Sequence, residues 1–156
     1  MLDQIKKKNV TWNELTLHVG LGTFRPVKET DITKHVMHEE RYEISPFVAA
    51  DVTSWKKRGN RVLAIGTTSV RTLESAWDQT SQSLRSGSGR TSIFIYPGHH
   101  TFRVVDRLLT NFHLPCSTLL MLVSAFAGKD FVLAAYEEAV KEKYRFFSYG
   151  DAMLIL

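Results

Sequence analysis

The chain has 156 residues, a net charge of +4 with histidine neutral, 44% hydrophobic and 23% charged residues. That length supports an adequate core for one domain over residues 1–156, and the balance excludes a disordered chain. The most apolar run, Leu119–Ala127, is broken by Ser124 and too short to span a bilayer, and with Cys116 as the only cysteine no internal disulfide can form.

Lys6-Lys7-Lys8 near the start is followed by no apolar segment, so no secretory signal is expected. A lone cysteine fits a reducing cytoplasm. The mild positive charge is compatible with an RNA partner and is shared by many proteins that bind no nucleic acid.

In chain order, Met1–Lys8 reads as the end of a helix. Glu14–Val19 alternates apolar and polar residues as a half-buried strand, with His18 pointing away from the leucines. Gly20-Leu21-Gly22-Thr23-Phe24-Arg25 follows. Its glycines suit a tight turn or a close backbone approach to a ligand, and Thr23 and Arg25 can supply a hydroxyl and a guanidinium. Val36–Ile44 reads as a second strand. His35 and His38 have no third ligand nearby, so a structural role ranks ahead of a metal. Ser45-Pro46 opens a helix with Phe47, Val48, Val52 and Trp55 as its apolar stripe.

Arg61–Ile65 is apolar enough to be buried on both faces of a parallel sheet. Gly66-Thr67-Thr68-Ser69 then leads into a helix, and such a turn at a helix amino end suits an anion or a hydroxyl. Arg71 and Glu74 are read as a surface ion pair. Residues 80–90, rich in Ser and Gly, are expected to form a mobile loop. Strands are expected at Ser92–Tyr96 and Phe102–Val105, with His99-His100 in solvent between them.

Thr110–Gly128 is the most informative stretch. A polar loop with Asn111, His113 and Pro115 runs into Ser117, a helix cap, then an apolar helix buried on several sides and stopped by Gly128. Asp130 is expected to cap a further helix to Lys143, carrying Phe131, Ala134, Ala135, Tyr136 and Ala139 inward. The aromatic run Tyr144–Tyr149 suits either base stacking or a core cluster before a final strand, Ala152–Leu156. The element order predicts an α/β fold: a mainly parallel or mixed sheet flanked by helices, with the loops at 20–25, 66–69 and 111–117 on one rim.

Four segments together resemble one family: Leu15-Thr-Leu-His-Val-Gly-Leu-Gly-Thr-Phe-Arg-Pro-Val27, Gly66-Thr-Thr-Ser-Val-Arg-Thr-Leu-Glu74, Thr110-Asn-Phe-His-Leu-Pro115 with Ser117–Gly128, and Tyr144-Arg-Phe-Phe-Ser-Tyr-Gly-Asp-Ala-Met153. The family is the S-adenosylmethionine:tRNA ribosyltransferase-isomerase of queuosine biosynthesis. The resemblance implies a bacterial cytoplasmic enzyme that moves and isomerises the ribosyl part of S-adenosylmethionine. Its acceptor is tRNA carrying 7-aminomethyl-7-deazaguanine at the wobble position, and its product is epoxyqueuosine. Family members are longer. The chain resembles their carboxyl-terminal part and lacks their inserted β-barrel domain, a difference that suggests self-association through a surface left uncovered. Cys116 and His99-His100 depart from the family pattern.

Such a reaction needs a base beside the sulfonium, an acid for departing adenine and groups that hold ribose hydroxyls. S-adenosylmethionine is a co-substrate, and no prosthetic group, metal or membrane is implied. His18, His113 and Asp151 are the candidate catalytic residues. Gly20, Gly22, Thr23, Arg25, Thr67, Thr68, Ser69, Arg71, Asn111, Ser117 and Tyr149 are the candidate substrate-binding residues. The alternative is a truncated, non-catalytic nucleotide- or tRNA-binding module. A hydrolase built on Ser117 and His113 lacks a nucleophile-elbow pattern.

Overall fold

The computed structural model describes residues 2–8, 10–20, 26–27, 29, 31–148 and 150–156. Two three-stranded sheets carry the architecture. The first, in the order β1 (Thr16–His18), β2 (Glu40–Ile44), β6 (Gly87–Thr91), is antiparallel throughout. The second, β3 (Leu63–Ile65), β7 (Arg107–Asn111), β8 (Ala152–Ile155), is mixed: β3 and β7 run parallel, whereas β8 runs antiparallel to β7. Short strands β4 (Trp77–Asp78) and β5 (Ser83–Leu84) form a separate ribbon. The α/β class expected from the sequence holds, in its mixed-sheet form. Among the described residues these strands do not close into a barrel.

Among the described residues five α-helices flank the strands: α1 (Leu2–Lys6), α2 (Pro46–Lys57), α3 (Thr67–Ala76), α4 (Thr118–Ala127) and α5 (Lys129–Lys141). Ser45 caps α2 as expected, its Oγ accepting the Val48 N–H at 3.2 Å. Ser117 does the same for α4, accepting from Leu120 at 3.1 Å. α4 exposes no residue fully. Gly128, at φ 93°, ends α4 and starts α5, and the two axes bend by 115° there. Asp130 therefore sits inside the first turn of α5 and does not cap it. α5 turns Val132, Tyr136 and Ala139 inward and leaves Phe131 exposed, and it begins at Lys129, two residues before the start that an Asp130 cap implies. Phe47, expected in the stripe of α2, is likewise exposed. Among the described residues no single helix is long and apolar enough to cross a membrane.

Several strands lie elsewhere than expected. β2 begins at Glu40, not at Val36, and His35 sits beside Glu29 and against the Phe94 ring. The Ser/Gly-rich segment is ordered into β5 and β6. Gly89 makes this possible, since a Cβ there would collide with the Tyr42 ring that covers it. Residues 92–96 and 102–105 form no strand, although Ile95, Val104 and Val105 are buried. The N–H groups of Arg103, Val104 and Val105 donate instead to the Glu74 carboxylate at 2.9, 3.0 and 2.9 Å. A single side chain thus replaces a neighbouring strand.

β3 is buried on one face only. Leu63 and Ile65 are 46% and 45% exposed, and Leu154 beyond β7 is 56% exposed. The register places Ile65, Leu109 and Leu154 side by side on this outer face, while Ala64, Leu108 and Ile155 face the helices. The outer face is therefore apolar and about half exposed at Leu63, Ile65 and Leu154.

Candidate functional site: the crevice beyond β3 and β7

Because β3 and β7 are parallel, their carboxyl ends open on the same side, where crevices in such sheets form. After Ile65 the chain turns through Gly66 at φ 83°, whose N–H donates to the Leu109 carbonyl at 2.8 Å. α3 starts at once, with no side chain capping its amino end. A crevice of about 470 Å³ lies against it, lined by Gly66, Thr67, Thr68, residues 109–114, Ser117, Leu119, Phe147, Ser148 and Ala152. An uncapped helix start offers N–H donors and a partial positive charge to whatever occupies this space.

The facing wall is the loop that follows β7. The His113 N–H donates to the Tyr136 hydroxyl at 2.8 Å, and its Nε2 lies 3.1 Å from the Thr110 hydroxyl. Burial pushes the imidazole pKa down from 6.5 to about 4, so the ring is neutral at physiological pH. Burial also pushes the Tyr136 phenol up, in excess of the opposing effect of the His113 N–H. Phe112 anchors the loop from behind, with ring centroids 5.2 Å from Tyr136 and 5.0 Å from Phe146. Ser117 closes the loop: its hydroxyl donates to the Leu114 carbonyl at 2.7 Å while accepting from Leu120. With donor and acceptor both engaged, Ser117 shapes the wall and has little left for a ligand. Pro26 bridges to Ser117 and the Val27 N–H donates to the Cys116 carbonyl at 2.8 Å, so Pro26 and Val27 lie at this rim.

Of the residues singled out in the sequence, Thr67, Thr68, Asn111, His113 and Ser117 meet in the crevice. Others stand apart. Ser69 donates its hydroxyl to the Ile65 carbonyl at 2.8 Å and does not line it. His18 is exposed on β1 in the other sheet, opposite Arg41. Asp151 is fastened to Arg145, with Nη2 to Oδ1 at 3.1 Å. Gly22, Thr23, Arg25 and Tyr149 lie outside the described residues.

Arg71 and Glu74 do not form a surface pair. Arg71 is 3% exposed and its Nη1 lies 2.7 Å from Oε2 of the equally buried Glu40, whose Oε1 accepts the Gly20 N–H at 2.8 Å. The helical spacing of Arg71 and Glu74 is real, but each finds a partner on a different element. For Glu74, burial pushes the carboxyl up. The His100 ring and the N–H groups of Val105, Arg103 and Val104 together outweigh burial and leave it below the ordinary range. The sequence reading missed Glu40, Thr110, Tyr136 and Phe147 as parts of this region. No local spacing signals the first three, and the aromatic run around Phe147 did not say which ring faces out. Among the described residues no group of three or more His, Cys, Asp or Glu side chains could hold a metal ion.

The family model described as a queuosine biosynthesis protein matches residues 1–155. An S-adenosylmethionine:tRNA ribosyltransferase-isomerase of Symbiobacterium thermophilum is 57% identical over the whole chain, which covers 45% of that relative. The enzyme of the same name from Thermotoga petrophila is 55% identical, with 46% of its length covered. A crystal structure of an S-adenosylmethionine tRNA ribosyltransferase from Thermotoga maritima superposes with a TM-score of 0.78 at 47% identity, covering 99% of this chain and 48% of that one. The chain thus spans about half the length of the curated relatives it matches. On sequence and on fold alike, it belongs to the queuosine biosynthesis protein family.

Proposed function

We propose that the crevice beyond β3 and β7 is the S-adenosylmethionine site of a tRNA ribosyltransferase-isomerase acting in the cytoplasm, and that residues 1–156 form one α/β unit of that enzyme. Its acceptor is tRNA bearing 7-aminomethyl-7-deazaguanine at the wobble position, and its product epoxyqueuosine. The observation that carries this reading is the neutral His113 facing the uncapped start of α3 across the crevice. A protonated imidazole would repel a sulfonium, whereas a neutral one can accept a proton from the carbon beside it. The N–H groups at the start of α3 suit the methionine carboxylate. Thr68 and Asn111, which line the crevice, suit ribose hydroxyls. Removing the proton next to sulfur leaves that carbon as an ylide, and this deprotonation is the step assigned to His113.

A second reading is a non-catalytic nucleotide- or tRNA-binding module. It is favoured by the fact that two of the three candidate catalytic residues do not line the crevice: His18 lies on the other sheet and Asp151 is bound to Arg145. Adenine release separates the two. The chain is incubated with S-adenosylmethionine and tRNA carrying the modified base, alone and together with the unmatched half of the Thermotoga petrophila relative. Release in either mixture, lost with His113→Ala, supports the catalytic reading; binding of S-adenosylmethionine without release in both supports the module.

A further inference from the structure

The loop between α5 and β8 closes on itself at the mouth of the crevice. The Asp151 N–H donates to the Arg145 carbonyl at 2.8 Å, and the Asp151 carboxylate accepts from the Arg145 backbone N–H at 2.8 Å. The Gly150 N–H donates to the Phe147 carbonyl at 3.0 Å. A Cβ on Gly150 would lie 2.5 Å from the Arg145 carbonyl oxygen, so only glycine permits this closure. At the tip, Phe147 is held at φ 68°, a left-handed conformation that a bulky residue enters at a cost. Its N–H donates to the Phe112 carbonyl at 3.2 Å, tying the tip to the wall that carries His113.

The two neighbouring rings part ways here. Phe146 packs against Phe112 and Tyr136, whereas Phe147 stays 50% exposed and lines the crevice. An exposed phenyl ring on a strained backbone adds little to the core, so the fold has no use of its own for it. A flat apolar ring at the mouth of a crevice lined by Ile65, Leu109 and Leu119 suits one kind of ligand: a planar heterocycle whose π face needs no particular hydrogen-bond pattern.

We propose that Phe147 is a stacking platform for a nucleobase, either the adenine of S-adenosylmethionine or the base offered by the tRNA. The assignment rests on the reading of the crevice as a substrate site. The wild-type chain and its Phe147→Leu and Phe147→Trp variants are titrated separately with S-adenosylmethionine and with an anticodon stem-loop RNA. Affinity is followed by calorimetry and the base protons by NMR. Stacking moves the base protons upfield on binding. Phe147→Leu abolishes that shift and weakens binding on the order of tenfold, while Phe147→Trp keeps both. The thermal midpoint of Phe147→Leu stays at the wild-type value, because leucine keeps the backbone conformation and little burial is lost. Loss confined to S-adenosylmethionine assigns the platform to adenine, and loss confined to the RNA assigns it to the tRNA base. If Phe147→Leu binds both probes as tightly as wild type, the platform is overturned and the crevice reading stands. If the wild-type chain binds neither, both are overturned.

Discussion

Burial keeps the His113 imidazole neutral down to about pH 4, where a free histidine would already be charged at about 6.5. The unfolded chain therefore binds a proton between those values that the native chain does not. Stability falls as pH drops from about 6.5 to about 4, by at most about 3 kcal/mol. Thermal midpoints measured across that window should fall for wild type and stay flatter for His113→Gln, and parallel curves would remove the imidazole as the cause. Glu74 acts in a lower window. Its folded carboxyl lies below the ordinary 4.5, so its stabilisation is complete above that value and is lost as pH falls through the folded one. Both side chains were legible as residue types in the sequence. Their partners were not, since His113 meets Tyr136 from α5 and Glu74 meets a segment about thirty residues away.

At the level of elements, the two serine caps read well because capping is local, whereas the expected Asp130 cap fell inside α5. Ser45-Pro46 and Ser117-Thr118 each place the cap oxygen within reach of an N–H three residues on, whatever the rest of the chain does. Ser117→Ala removes the α4 cap and the bond to Leu114 together. It should cost about 1 kcal/mol, which lowers the thermal midpoint by roughly 2–4 °C in a chain of this size. Ser117→Thr should retain most of the difference. An unchanged midpoint for Ser117→Ala in calorimetry would mean that the loop is held by its other contacts. Strands read less well. Residues 102–105 have the apolar pattern of a strand but meet a carboxylate where a ladder would be, and residues 87–91 lack the pattern but pair because Tyr42 covers Gly89. Strand identity depends on the neighbour, and the neighbour is set by tertiary contacts.

On the scale of the molecule, the outer face of the β3-β7-β8 sheet is the largest departure from expectation. Arg61–Ile65 reads as a strand buried on both sides, yet Leu63 and Ile65 are nearly half exposed. The apolar content of β3 is that of a two-faced interior strand. The mismatch has a physical consequence, since uncovered apolar surface drives association. Sedimentation velocity should show concentration-dependent self-association of the wild-type chain. The double variant Ile65→Thr with Leu154→Thr should sediment as a monomer with a thermal midpoint near wild type, because both side chains are exposed. Identical sedimentation of the two would show that this face is not the contact.

The sequence by itself determined the α/β class, the Ser45 and Ser117 caps, the Gly128 stop and the family, since each rests on residues adjacent in the chain or on motifs read in order. It also placed Thr67, Thr68, Asn111 and His113 at element ends, where a crevice could collect them. The tertiary structure decided which of the remaining candidates join them. It buried Arg71 against Glu40, left His18 on another sheet and turned Phe147 outward while Phe146 went in. These outcomes depend on pairings between segments distant in the chain, where packing and burial outweigh any local preference.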